Sequence, residues 1–160
     1  MQDDFITEKR YLHSLAVARE CYRLAKEEFE QTEDFAKKMF VAGYNHDIGY
    51  AIVPEQCYSC HNVVSAELIK DTFGTDNRIY YAIKYHGNPA TPKEYQSLEW
   101  LILNIAELTI DSNGNRTSVN HRLNNIKEEK GQFSDNFKKA SVMKETISLI
   151  LKENYNKILL

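Results

Sequence analysis

Apolar side chains recur along this chain at steps of three and four residues, the spacing that lines one face of a helix. Tyr11, Leu15, Ala18, Tyr22, Ala25 and Phe29 form such a stripe and predict a first helix over residues 8–29. A second begins near Thr32-Glu33 and runs through Phe35, Met39 and Ala42 to His46, with Gly49 placed to end it. Residues 50–60, broken by Pro54, read as a loop. A third helix is expected over residues 61–73, closed by Gly74, and a fourth over 76–86, stopped by Gly87-Asn88-Pro89. After a second loop over 88–94, the most apolar stretch predicts a helix over 95–111 that includes Trp100-Leu101-Ile102-Leu103.

Ser112-Asn113-Gly114-Asn115 is a turn signal. A polar helix over 119–129 follows, and Ser134 caps a last amphipathic helix, over about 134–155, with Val142, Ile147 and Ile150-Leu151 on its apolar side. No stretch alternates with the period of a strand. The expected fold is all-α, a compact single-domain bundle of six to seven helices over residues 1–160.

Composition narrows the partners. A chain of 160 residues suits one domain with one core. Its net charge of -3 provides no broad basic surface for a nucleic acid polymer, while leaving room for a local basic pocket. Met1-Gln2-Asp3-Asp4 is acidic and no apolar core follows, so no export signal is read. No apolar run is long enough to cross a membrane. Three cysteines argue against a disulfide framework, and the cytoplasm is the expected compartment.

The informative feature is polar groups on faces that otherwise point inward. His46 continues the stripe Phe35, Met39, Ala42, and His86 closes the stripe Ile79, Ala82-Ile83. His61 opens a helix whose next inward positions are expected at Val64 and Leu68, and Glu107 lies on the line Trp100, Leu103, Ile110. A buried carboxylate is costly unless its charge is compensated, and imidazoles beside it need partners too. A divalent metal satisfies both, since it takes neutral imidazole nitrogen and carboxylate oxygen. His46 and Asp47 are adjacent at a helix end, and Asp47 has two oxygens with which to bridge two ions. His13, on the first helix, completes such a shell. Any one of these histidines alone would read as a hydrogen-bonded core residue, and Glu107 alone as a rim carboxylate; their coincidence favours the metal. His121, between Asn120 and Arg122, reads as solvated surface.

In order along the chain stand Arg10-Tyr11-Leu12-His13-Ser14, His46-Asp47-Ile48-Gly49-Tyr50, His61, His86 and Ala106-Glu107-Leu108-Thr109. This series resembles the HD superfamily of metal-dependent phosphohydrolases over residues 8–126. The resemblance implies a helical bundle in which His13, His46, Asp47 and the last acidic position hold one metal. It also implies that His61 and His86 hold a second, with Asp47 bridging. One or two divalent ions would serve, among iron, manganese, magnesium, nickel, cobalt and zinc.

The implied activity is hydrolysis of a phosphate ester or anhydride, of a nucleotide or related small molecule, by metal-activated water, with His46 and Asp47 at its centre. The family's last ligand is normally aspartate in an Ala-Asp pair, whereas this chain has Ala106-Glu107. The extra methylene moves the oxygens by about 1.5 Å, which either shifts the geometry or leaves the role to Asp111. Lys84, Arg116 and Arg122 are candidates to hold substrate phosphates, and Tyr50 is either a pocket wall or a loop anchor.

Other readings compete. Cys57-Tyr58-Ser59-Cys60-His61 spells the attachment motif of a c-type haem. Haem attachment normally requires export, and His61 already belongs to the series above. Cys57 and Cys60 alone make a poor structural zinc shell. A metal-containing nucleotide-binding or signalling module without turnover is the main alternative, suggested by Glu107. A purely structural helical protein is the blandest. The last helix either packs on the core or builds a homodimer.

Overall fold

The computed structural model describes residues 7–160. Seven α-helices lie among the described residues: α1 (Glu8–Arg23), α2 (Glu33–Asn45), α3 (His61–Ile69), α4 (Arg78–Lys84), α5 (Leu98–Thr109), α6 (Val119–Lys130) and α7 (Asp135–Ile150). There is no strand among them, only an isolated antiparallel bridge between Ile110 and Arg116. The all-α expectation is met. The Met1-Gln2-Asp3-Asp4 segment, on which the absence of an export signal was read, lies outside the described residues. No described helix is long and apolar enough to cross a membrane.

Local chemistry sets the helix starts. Thr7, Thr32, Ser97, Ser118 and Ser134 each accept a hydrogen bond from a backbone N–H in the first turn of the helix that follows. The Ser97 cap corrects the expected start of the fifth helix. Pro92 and a 3-10 turn over Lys93–Tyr95 precede it, so α5 begins at Leu98. Ile110 turns extended and pairs with Arg116, so α5 stops before 111.

α4 is also shorter than predicted. The Asp76 carboxylate binds the backbone N–H of Arg78, and Gly87, at φ +71°, turns the chain just past His86. α3 ends at Ile69, and its inward residues are Ser65, Ala66 and Ile69. The expected inward position Leu68 is 49% exposed, because His61 lies at the helix end and the stripe is rotated by one residue.

α5 is buried nearly all round, from Glu99 through Ala106, and α1, α2, α4, α6 and α7 pack about it. α1 and α2 approach each other closely at Gly43, where a Cβ would lie 2.8 Å from the Cα of Ala18. That closeness sets His13 and His46 side by side, with ring centroids 5.6 Å apart. α7 packs on the core through Met143 and Ile147, and Leu151 just past its end does the same, while Val142, expected inward, is 47% exposed. Gly49 does not end α2, which stops at Asn45. It sits buried in a 3-10 turn over Ile48–Ala51, where a Cβ would meet the His61 carbonyl oxygen at 2.1 Å.

Candidate metal centre

Six side chains predicted from sequence meet, carried by or next to five helices. His13 comes from α1, His46 and Asp47 from the end of α2, His61 from the first residue of α3, His86 from just past α4, and Glu107 from α5. They form two groups able to hold an ion: His13, His46, Asp47 and Glu107, and Asp47, His61 and His86. Asp47 belongs to both. Its Oδ2 lies 3.3 Å from His46 Nε2 and 4.0 Å from His13 Nε2. Its Oδ1 lies 3.3 Å from His61 Nε2 and 3.4 Å from His86 Nε2. Glu107 Oε1 closes the first group, 2.9 Å from His13 Nε2 and 2.7 Å from His46 Nε2.

The backbone aims the rings. Nδ1 of His46 bonds the Gly43 carbonyl at 2.6 Å, that of His61 the Tyr58 carbonyl at 2.7 Å, and that of His86 the Ile83 carbonyl at 2.6 Å. His13 Nδ1 bonds the Asp111 carbonyl at 2.9 Å. A carbonyl oxygen only accepts, so each Nδ1 is the donor. The neutral tautomer then carries its lone pair on Nε2, and every Nε2 points into the cluster. Fixing a histidine through its other nitrogen is how a protein prepares it as a ligand.

The donors fit a metal better than they fit one another. His46 Nε2 is fully buried and makes no hydrogen bond, although a carboxylate oxygen lies 2.7 Å away. The Nε2 atoms of His61 and His86 face each other at 3.3 Å. Convergent lone pairs around shared oxygens are unfavourable unless a cation lies between them, and a nitrogen and oxygen donor set suits divalent first-row ions.

The charges respond accordingly. Burial works to raise the Asp47 and Glu107 pKa values, but His46, with His13 at Glu107, outweighs it and holds both well below the carboxylate range. Burial disfavours protonation of His13 and His46, yet Glu107 on the first and Asp47 with Glu107 on the second raise both above the ordinary histidine value. Both shifts express the concentrated negative charge of Asp47 and Glu107, which a bound cation would offset.

Asp111 does not take over from Glu107. Its carboxylate accepts the backbone N–H groups of Asn113 and Asn115 and closes the loop after α5, while its carbonyl orients His13. The three predicted phosphate contacts lie outside the cluster. Lys84 Nζ sits 5.6–5.9 Å from the ring centres of Tyr80, Tyr81 and Tyr85. Arg116 lies 3.6 Å from Glu20 and its side chain is 62% exposed. Arg122 is half-buried near Asp111, with its Nε unpaired. Neither Cys57 nor Cys60 joins either metal-holding group; both are exposed. His61 turns its Nε2 toward Asp47 and His86, which places it in the metal-holding group rather than in a haem-attachment site. His121 is exposed, as expected.

Around the cluster stand Tyr50, one of the sequence candidates, and three residues with no role read from the sequence, Arg10, Asn62 and Ser65. Tyr50 stacks on the His61 ring at 3.9 Å, so it is a wall of the site and not only a loop anchor. The Arg10 guanidinium lies over Tyr50 at 4.2 Å. Ser65 Oγ accepts the Gly49 N–H beneath the His46-Asp47 turn, and Asn62 donates to the Lys84 carbonyl, tying α3 to α4. The only sequence signal for Arg10 is its place three residues before His13, on the same helical face.

Neither the curated proteins nor the solved structures yield a match to this chain. The family model of the HD domain matches residues 10–109, a span that takes in all six clustered side chains. With well over half of its length matched in this way, the chain belongs to the HD-domain family.

Proposed function

We propose that the chain is a metal-dependent phosphohydrolase acting on a phosphate ester or anhydride of a nucleotide or related small molecule. His13, His46, Asp47 and Glu107 hold one divalent ion, and His61, His86 and Asp47 a second. The observation that carries this reading is Asp47, whose two oxygens each face a different set of imidazole nitrogens. A carboxylate divided in this way is suited to bridging two ions.

Divalent ions in such a site supply Lewis acidity toward phosphoryl oxygens and lower the pKa of water. The chain's own part is to fix the donors before anything binds. The carbonyls of Gly43, Tyr58, Ile83 and Asp111 lock the four rings, so little reorganisation is needed on loading. Tyr50, flat against His61, forms one flank of the cluster.

A module that binds a phosphate-bearing ligand without turnover drew its support from Glu107. Its oxygen reaches both His13 and His46, so the longer side chain costs the site nothing that this geometry reveals. The test is phosphate release from a panel of nucleoside mono-, di- and triphosphates, dinucleoside polyphosphates and small phosphate esters, with manganese-loaded protein. Release by the wild type and its loss in Asp47→Ala are expected. No release across the panel from protein that retains its metal would overturn the catalytic reading in favour of the module.

A further inference from the structure

Tyr50 is sandwiched. The His61 ring lies parallel to it, 3.9 Å from its centre and tilted by 11°, and the Arg10 guanidinium carbon lies 4.2 Å from the same centre. Two groups so close to one ring centre occupy its opposite faces. Arg10 also lies 5.0 Å from the Tyr58 ring, which meets Tyr50 edge-on. The guanidinium is therefore held by two aromatic rings, and among the described residues it forms no ion pair. A guanidinium stacked on a ring keeps its N–H groups at its edge, free to bind an oxyanion in a two-pronged fashion.

Its position relative to the cluster gives the inference its content. Arg10 precedes His13 by three residues on one face of α1, about 4.5 Å further along the helix axis. His13 is buried and Arg10 half-buried, so that direction leads outward. The thickness of Tyr50 separates Arg10 from His61. A phosphoryl group in contact with the cluster is then out of reach of the guanidinium, whereas the next group in a phosphate chain comes to it.

We propose that Arg10 is a substrate anchor that binds a phosphate adjoining the one at the metal cluster, so that the preferred substrate class is a phosphoanhydride chain and not a phosphate monoester. This rests on the metal-cluster reading above, and it concerns binding and not turnover. Lys84 lies against Tyr80, Tyr81 and Tyr85, Arg116 beside Glu20 and Arg122 near Asp111; Arg10 is the cation stacked on the Tyr50 flank of the cluster. Its stacking keeps the side chain extended before the ligand arrives, which lowers the cost of ordering it.

The test is calorimetric titration of manganese-loaded protein with inorganic phosphate, pyrophosphate and tripolyphosphate, with bound metal measured again afterwards. Wild type is expected to hold tripolyphosphate at least tenfold tighter than phosphate. Arg10→Met should lose about tenfold or more on tripolyphosphate and less than twofold on phosphate, with its metal content unchanged. Arg10→Lys, which keeps the charge but not the planar fork, should fall between. Tyr50→Leu should weaken tripolyphosphate in the same direction by removing the platform.

Equal weakening of both probes in Arg10→Met would reduce Arg10 to a general positive charge and overturn the proposal. So would unchanged binding in that variant, or a wild type without preference. If the selectivity is present but no member of the nucleotide panel releases phosphate, the anchor stands and the hydrolytic reading falls.

Discussion

Nε2 of His46 and Oε1 of Glu107 lie 2.7 Å apart without forming a hydrogen bond. On the other side of the ring Nδ1 donates to the Gly43 carbonyl, so in the neutral ring Nε2 turns a lone pair toward that carboxylate oxygen. Two acceptors at that distance require a proton or a metal ion between them. Replacing either should therefore empty the first metal position. His46→Ala and Glu107→Gln are expected to lose tenfold or more in metal affinity, while Glu107→Asp retains part of it. Elemental analysis after desalting checks this, and full metal content in Glu107→Gln would remove the carboxylate from the ligand set.

Gly49 sets the position of His61. A methyl group there would lie 2.1 Å from the His61 carbonyl oxygen and 2.8 Å from Ser65 Oγ, so α3 must move to admit it. Gly49→Ala should cost about 1–3 kcal/mol or more and lower occupancy of the His61-His86 position before that of the His13-His46 position. Gly74→Ala is a control of a different kind. No atom lies within 4 Å, but φ is +66°, so only the backbone strain of about 1 kcal/mol is expected. Thermal melts and metal stoichiometry distinguish the two. Equal metal content in both variants would contradict the role given to Gly49.

Asp111 is expected to matter for stability more than for ligation. Asp111→Ala removes the acceptor of two backbone N–H groups and should destabilise by about 1–3 kcal/mol. Its carbonyl, which orients His13, remains in place. Metal content close to wild type is the expected result in denaturant-titrated and elemental measurements. A variant as stable as wild type but free of metal would make Asp111 a ligand.

Removal of the metal should invert the pH dependence of stability. In the metal-free chain the His13 and His46 pKa values are raised, so their contribution is complete below the ordinary histidine range and is lost as pH rises through the raised values. Those of Asp47 and Glu107 are lowered, so their contribution is complete above the ordinary carboxylate range and is lost as pH falls through the lowered values. The chelated protein is thus most stable in weak acid, between the two ranges. Bound metal must displace the histidine protons, so its affinity falls as pH drops. Melting temperatures from pH 5 to pH 9, with manganese and with chelator, should show the optimum moving to higher pH with metal. A chelator-independent profile would refute the coupling.

The cysteines are expected to be separable from the site. Cys57 and Cys60 are exposed, while Cys21 is buried and burial pushes its thiol pKa well up. A thiol reagent should label two of the three in the folded protein. The double variant Cys57→Ser, Cys60→Ser should keep its metal. Loss of metal in that variant would restore the thiolate ligand set considered from the sequence.

Helix faces were legible because the apolar period is local. Phe35, Met39, Ala42 and His46 share a face whatever surrounds them, as do Ile79, Ala82, Ile83 and His86. The inward placement of His46, His86 and Glu107, the all-α class and the pairing of the clustered residues all follow from such stripes and from the family resemblance. The helix ends were less legible. Ser97, Asp76 and Gly87 decide them through bonds and dihedrals that a stripe does not encode. The rotation of α3 is not encoded in its stripe either, since its apolar residues suit either face.

Which side chains meet is legible along the chain, because helical periodicity and the order of the HD motif are both written in one dimension. How they meet is a property of the packed helices. His13 is held by a carbonyl 98 residues away, Asp47 divides its oxygens between helices that enter from different parts of the chain, and Arg10 faces His61 across Tyr50. Each of these relationships depends on the separation and angle of packed helices. Those are set by close contacts such as Gly43 against Ala18 and Gly49 against His61, which leave no periodic trace in the sequence.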